Sequence, residues 1–221
     1  MFHANIQEKP VISPLKSCLL EHRTIVTFES ITLTVAIGVK IDFTNVCKMD
    51  RISDDFKNAE FRTVLQAGNE ISLKIEISND AHELMPNVYN LAFGPMNSKG
   101  DIDDKAELRH RDYSKVFSTI VFNAFNYLSR NNSHHLGIDG SDNLRAWYYW
   151  RFLQRNYDYL GQHFEMFGLK YYVRITRFGK QQYENPFDFR DIQPWPDRIK
   201  KTTTWPKHMY NYFIFRLRQA V

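Results

Sequence analysis

Apolar and polar residues alternate over the first third of the chain. Ile31, Leu33, Val35, Ile37, Val39 and Ile41 alternate with Thr32, Thr34, Ala36, Gly38 and Lys40. A period of two over 31–41 predicts a strand with one buried face. A shorter strand is expected before it, Thr24 to Glu29. Strands are also predicted over 60–66 and 70–78, joined by the hairpin turn Ala67-Gly68-Asn69. In the second of these, Ile71, Leu73, Ile75 and Ile77 alternate with Ser72, Lys74, Glu76 and Ser78. Tyr89, Leu91 and Phe93 mark a fifth strand, ending at Gly94-Pro95.

The period then changes. Tyr113, Val116, Phe117, Ile120, Val121, Ala124 and Leu128 recur at three and four. This predicts a helix over 113–129, with Asp112 as N-cap. A short strand is expected at 134–139. A long helix at 142–166 follows, carrying the stripe Ala146, Tyr149, Trp150, Leu153, Tyr157, Leu160 and Phe164, with Gly168 as its stop. Tyr171, Val173 and Ile175 predict a last strand over 170–178.

Beyond Gly179 the pattern decays among Pro186, Pro194, Pro196 and Pro206. Trp195, Trp205, Tyr210, Tyr212, Phe213 and Phe215 nevertheless make this tail too apolar for a disordered one. The expected organisation is an irregular segment 1–20, one domain over 21–178, and a C-terminal extension 179–221 that docks on the domain or on a partner. The fold class is α+β: an N-terminal antiparallel sheet, then β-α-β-α-β, with the helices on one face of the sheet.

Composition adds limits. The chain has 221 residues, enough for a real core without staples. Aromatic residues reach 15%, and glycine is scarce at nine residues, which disfavours large phosphate-cradling loops. The net charge of +4 permits a basic patch without demanding nucleic acid. Cys18 and Cys47 match no metal or redox spacing. No signal-peptide pattern and no membrane-length apolar run occurs, so a cytoplasmic location is expected. No cofactor fingerprint is found, and none is expected to bind.

Three constellations carry chemistry. At the head of the second helix, Gly140, Ser141 and Arg145 offer an anion or phosphate site, against the simpler role of helix capping by Ser141 or Asp142. Trp147, Tyr148, Arg151, Phe152 and Arg155 form a second face on that helix, opposite its core stripe. Arginines among aromatics suit a protein interface first and single-stranded nucleic acid second; the plain alternative is burial under the chain's own tail. His110 between Arg109 and Arg111 offers a proton carrier flanked by cations, the weak basis for metal-free nuclease chemistry. His110-Arg111-Asp112 lacks every companion of a kinase loop. His134, His135, Asp139 and Asp142 fail as a metal set because neighbouring strand residues point to opposite faces. Asp101, Asp103 and Asp104 lack the closing glutamate of a calcium loop. The run Arg198, Lys200, Lys201 and Lys207 beside Trp205 is a further candidate basic surface, or a solvated connector.

The residues Phe93, Gly94, Gly100, Ile102, Asp103, Asp104, Lys115, Val116, Gly140, Ser141, Arg145 and Tyr149 occur in one order across about 87–178. In this the chain resembles a family of small uncharacterised bacterial proteins, known only as a domain of unknown function. Its N-terminal strands and long aromatic C-terminus depart from that pattern. The resemblance implies a compact α+β domain from a bacterium or its mobile elements, in a toxin–antitoxin or phage-defence setting. The expected function is a binding module of a defence, counter-defence or toxin–antitoxin system. A protein partner comes first, nucleic acid second, and no membrane is involved. The alternatives are a metal-independent nuclease-type effector and a sensor of a nucleotide or phosphate ligand.

Overall fold

The computed structural model describes residues 38–103, 106, 108–140, 143–170, 173–177, 180–184, 196–201 and 210–219. The segment 1–20, the strand expected at Thr24–Glu29, Ser141, Asp142, Trp205 and Lys207 lie outside the described residues. The described residues belong to one compact unit.

The strands are β1 (Met49–Ile52), β2 (Asn58–Val64), β3 (Glu70–Ala81), β4 (Val88–Pro95), β5 (His135–Asp139), β6 (Phe164–Leu169), β7 (Val173–Arg177), β8 (Lys180–Glu184), β9 (Asp197–Arg198) and β10 (Tyr212–Leu217). The helices are α1 (Tyr113–Arg130), α2 (Asn143–Arg155) and α3 (Tyr157–His163). Eight strands make one sheet in the order β1-β2-β3-β4-β5-β10-β6-β9, and β7 with β8 makes a separate hairpin. Among the described residues only the β4–β5 pair of the large sheet is parallel, and α1 supplies the crossover such a pair needs. The fold is α+β.

Much of this follows from local chemistry. In β3, Leu73, Ile75 and Ile77 are buried while Ser72, Lys74 and Glu76 face the other side, as the alternation predicts. Gly68 closes the β2–β3 turn at φ 93°, a left-handed conformation that glycine adopts without a Cβ penalty. Asp112 caps α1 by accepting a hydrogen bond from the Lys115 N–H at 2.9 Å. The main core lies between the helices and one sheet face, joining Phe61, Ile75 and Leu91 to Ile120, Leu128, Trp150, Leu153 and Phe213. A smaller cluster of Met85, Val88, Leu169, Tyr212 and Ile214 lies on the opposite face. Between α1, α2 and the sheet remains an apolar void of about 30 Å³, lined among others by Phe117, Val121, Phe152 and Phe213. A void of one-water size with no polar lining stays dry and is not a ligand pocket.

Four expectations need correction. The long helix breaks at Asn156 and ends at His163, because Phe164–Leu169 leaves as strand β6. Phe164 still belongs to the core stripe, but a strand delivers it, and Gly168 lies inside β6 rather than stopping a helix. The tail is not only an irregular extension. β10 sits between β5 and β6, so the last described segment completes the sheet interior. Beyond Gly179 the chain also continues as β8, paired to β7. The strand expected over 31–41 is not one in its described part, although Val39 and Ile41 are buried.

That last segment is held by side chains instead of a ladder. The Lys40 N–H donates to Ser114 Oγ at 3.0 Å, the Ile41 N–H to Asn156 Oδ1 at 2.8 Å, and the Asp42 N–H to Ser118 Oγ at 2.9 Å. The Phe43 N–H reaches the Tyr159 hydroxyl and the Cys47 N–H reaches Thr119 Oγ1. Buried backbone donors must be paired, and here α1 and the α2–α3 junction supply the acceptors.

Candidate functional site

The α2 helix positions the aromatic–arginine face. Its core stripe turns Ala146, Trp150 and Leu153 inward. That leaves Leu144, Arg151 and Arg155 exposed, with Trp147 and Tyr148 half-buried. The Arg151 guanidinium lies 5.6 Å from the Trp147 ring centre, and Tyr148 meets the same ring edge-on at 5.5 Å. A cation over an indole face is held in place, which orders a long side chain before any partner arrives. Phe152 does not share this surface. It packs against Phe117 at 5.4 Å and borders the apolar void, because its helical position lies next to the core stripe.

A second basic element joins this face. The Gln154 side-chain amide donates to the Lys200 carbonyl at 3.1 Å, and the Tyr157 hydroxyl donates to the Ile199 carbonyl at 3.3 Å. Ile199 itself is buried, and its N–H pairs with the Met166 carbonyl. These bonds set residues 199–201 beside the end of α2. Lys201 pairs with Asp158 on α3, and Arg198 pairs with Glu165 at 3.0 Å. Glu165 also accepts from Arg216, and this bond first, then the neighbouring arginines, holds its carboxyl below the usual range. Arg198 is therefore committed within the fold. Lys200 and Arg155 are exposed, without an ion-pair partner among the described residues.

The other candidates separate. The Gly140 N–H donates to the Asn211 carbonyl at 2.8 Å, so it is spent on the chain itself. A Cβ at Gly140 would stand 2.9 Å from the Ala146 Cα, so the glycine permits β5 and α2 to approach closely. Arg145 is half-buried and engaged, and Ser141 lies outside the described residues. His110 forms an antiparallel bridge with Leu65. It is 7% exposed, whereas Arg109 and Arg111 are exposed on either side of it. Extended backbone sends alternate side chains in opposite directions, so His110 and its flanking arginines do not converge on one substrate. Burial lowers the His110 pKa to about 4, and Nδ1 has no hydrogen-bond partner among the described residues.

His134 and His135 diverge as strand geometry requires. His134 Nδ1 lies 2.8 Å from the Tyr127 hydroxyl and its ring stacks on Tyr89 at 4.3 Å. His135 pairs in register with Arg216 of β10. Among the described residues no cluster of three or more histidine, cysteine or acidic side chains is placed to hold a metal. Asp101 and Asp103 belong to a tight loop whose Asn97 accepts from the Lys99 and Asp101 N–H groups. No described helix is long and apolar enough to cross a membrane.

Sequence reading missed Ser118, Thr119 and Asn156 as structural acceptors. A signal was present: Ser118-Thr119 interrupts the apolar face of α1, and both are fully buried. It also missed Gln154, whose one bond links two surfaces that had been treated apart.

No curated protein and no solved structure gives a significant match to the chain. A family model does, and it begins upstream of β1, so β1–β3 are part of the shared domain and not a departure from it; β10 lies beyond its end. On that match over residues 45–189, the chain belongs to a family of unknown function, DUF6934.

Proposed function

We propose that this protein is a binding module, and that its contact surface is the outer face of α2 continued by residues 199–201. The observation that carries this reading is the pre-set pair of Arg151 on Trp147, next to Lys200, which Gln154 holds through its carbonyl. Tryptophan and arginine dominate the energy of protein contacts, and a stacked guanidinium loses less freedom on binding. The exposed charges there without an ion-pair partner among the described residues, Arg151, Arg155 and Lys200, are positive, so the partner is an acidic protein surface. The setting suggested by the family resemblance is a defence, counter-defence or toxin–antitoxin system. The test is co-purification with the products of the adjacent genes. A bound partner should be lost on Trp147→Ala with Arg151→Glu; retention by the double variant would refute the surface.

Single-stranded nucleic acid is the second reading, favoured by the ring and cations lying side by side. It would appear as oligonucleotide binding that weakens steeply with salt. The nuclease alternative is left without support from the loop, because His110 and its neighbouring arginines face apart.

A further inference from the structure

The outer face of α2 is a straight stripe. At 3.6 residues per turn, Leu144, Trp147, Tyr148, Arg151 and Arg155 fall within an arc of about 100°. Their spacing is i, i+3, i+4, i+7 and i+11, over about 16 Å of helix. The core residues Ala146, Trp150 and Leu153 lie on the opposite side. The stripe is graded along its length. Its N-terminal end is apolar: Leu144 is 41% exposed, and the half-buried Trp147 and Tyr148 rings follow one turn on. Its C-terminal end is cationic: Arg151 and Arg155 are exposed, and the Gln154 bond sets Lys200 at the same end. These three cations have no ion-pair partner among the described residues.

The backbone of α2 narrows the class of partner. Beyond the first turn its amide groups are bonded within the helix, so recognition here is by side chains alone. An extended segment laid on the stripe would bring unpaired N–H and carbonyl groups against Leu144 and the rings. A helix satisfies its own backbone and presents side chains at the same three-and-four spacing. A second copy of this chain would set three further cations against these three, so charge disfavours it.

We propose that the stripe docks one acidic amphipathic helix, running antiparallel to α2; this rests on the contact surface proposed above. Acidic side chains at i and i+4 of the incoming helix meet Arg155 and Arg151. Apolar side chains at i+7 and i+11 cover the Trp147–Tyr148 rings and Leu144. The antiparallel sense follows from charge: acids are favoured in the first turns of a helix, and the cations stand at the C-terminal end of α2.

The test is fluorescence anisotropy of the full chain with three labelled peptides of about sixteen residues. The first is helical, with Glu at i and i+4 and Leu at i+7 and i+11. The second carries the same residues in reverse order. The third has a central proline that breaks the helix. The first should bind saturably, roughly tenfold or more tighter than the other two. Leu144→Glu alone, and Arg151→Glu with Arg155→Glu, change exposed side chains and should each weaken it by a similar factor. A first peptide with Lys in place of Glu should recover binding to the chain with both arginines reversed, which a misfolded chain would not allow. No saturable binding, equal binding of the proline peptide, or tighter binding of a single-stranded oligonucleotide overturns the docked helix. So does self-association of the chain that Leu144→Glu abolishes. Equal or tighter binding of the reversed peptide overturns the antiparallel sense. If the helix fails while Trp147→Ala with Arg151→Glu still releases the co-purified partner, the contact surface stands; if the partner is retained as well, both readings fail.

Discussion

Replacing Asn156 with alanine tests how the fold holds its contact face. Asn156 is 4% exposed and sits where α2 gives way to α3. Its Oδ1 accepts from the Ile41 N–H at 2.8 Å. Its Nδ2 donates to the Val39 carbonyl at 3.2 Å and the Phe152 carbonyl at 2.9 Å. The Phe152 carbonyl keeps a second donor, the Asn156 backbone N–H at 3.1 Å. Alanine therefore orphans two buried groups, the Ile41 N–H and the Val39 carbonyl. Each unpaired buried group costs roughly 1–3 kcal/mol, so the variant should lose about 2–4 kcal/mol after partial water entry. Ser114→Ala removes the exposed bond to Lys40 and should cost no more than about 1 kcal/mol. Urea unfolding followed by circular dichroism measures both, and hydrogen exchange at Ile41 localises the effect. An unchanged midpoint for Asn156→Ala, with unchanged exchange at Ile41, would refute the clamp.

Two further outcomes follow from packing and charge. Gly137→Ala should lower stability by about 1–3 kcal/mol in a urea titration, because its Cβ would enter the Tyr212 ring on the neighbouring strand β10. His110 has a folded pKa of about 4 against an ordinary 6.5, so between these values the unfolded chain binds more protons. Stability from this group is intact above pH 6.5 and is lost as pH falls toward 4, by up to about 3 kcal/mol. His110→Gln should flatten that part of the stability profile relative to the parent protein, and an identical profile would sink the assignment.

How much was legible in the sequence varied with burial. β3 and β4 were readable because the alternations Leu73–Ile75–Ile77 and Tyr89–Leu91–Phe93 survive in the sequence. β10 was not, because Tyr212-Phe213-Ile214-Phe215 is buried on both faces and a central strand then shows no period. Residues 39–41 misled in the other direction: Val39 and Ile41 alternate with a polar neighbour, yet their backbone is satisfied by side chains far along the chain, which no local pattern reveals. The α2–α3 break was hidden because the apolar spacing runs on through Asn156. Of the candidate site, the stripe and the Trp147–Arg151 face were legible from helical spacing, but Phe152 lay close enough to the stripe to be drawn inward. The alternation about the isolated Leu65–His110 bridge was what separated His110 from its arginines, and Leu65 is more than forty residues away in the chain.

Hydrogen–deuterium exchange of the full chain, with and without its co-purified partner, addresses the contact surface most directly. The account predicts added protection in residues 144–155 and 199–201, and little change along β1–β3. Protection confined to other elements, with α2 exchanging as in the unbound protein, would contradict it.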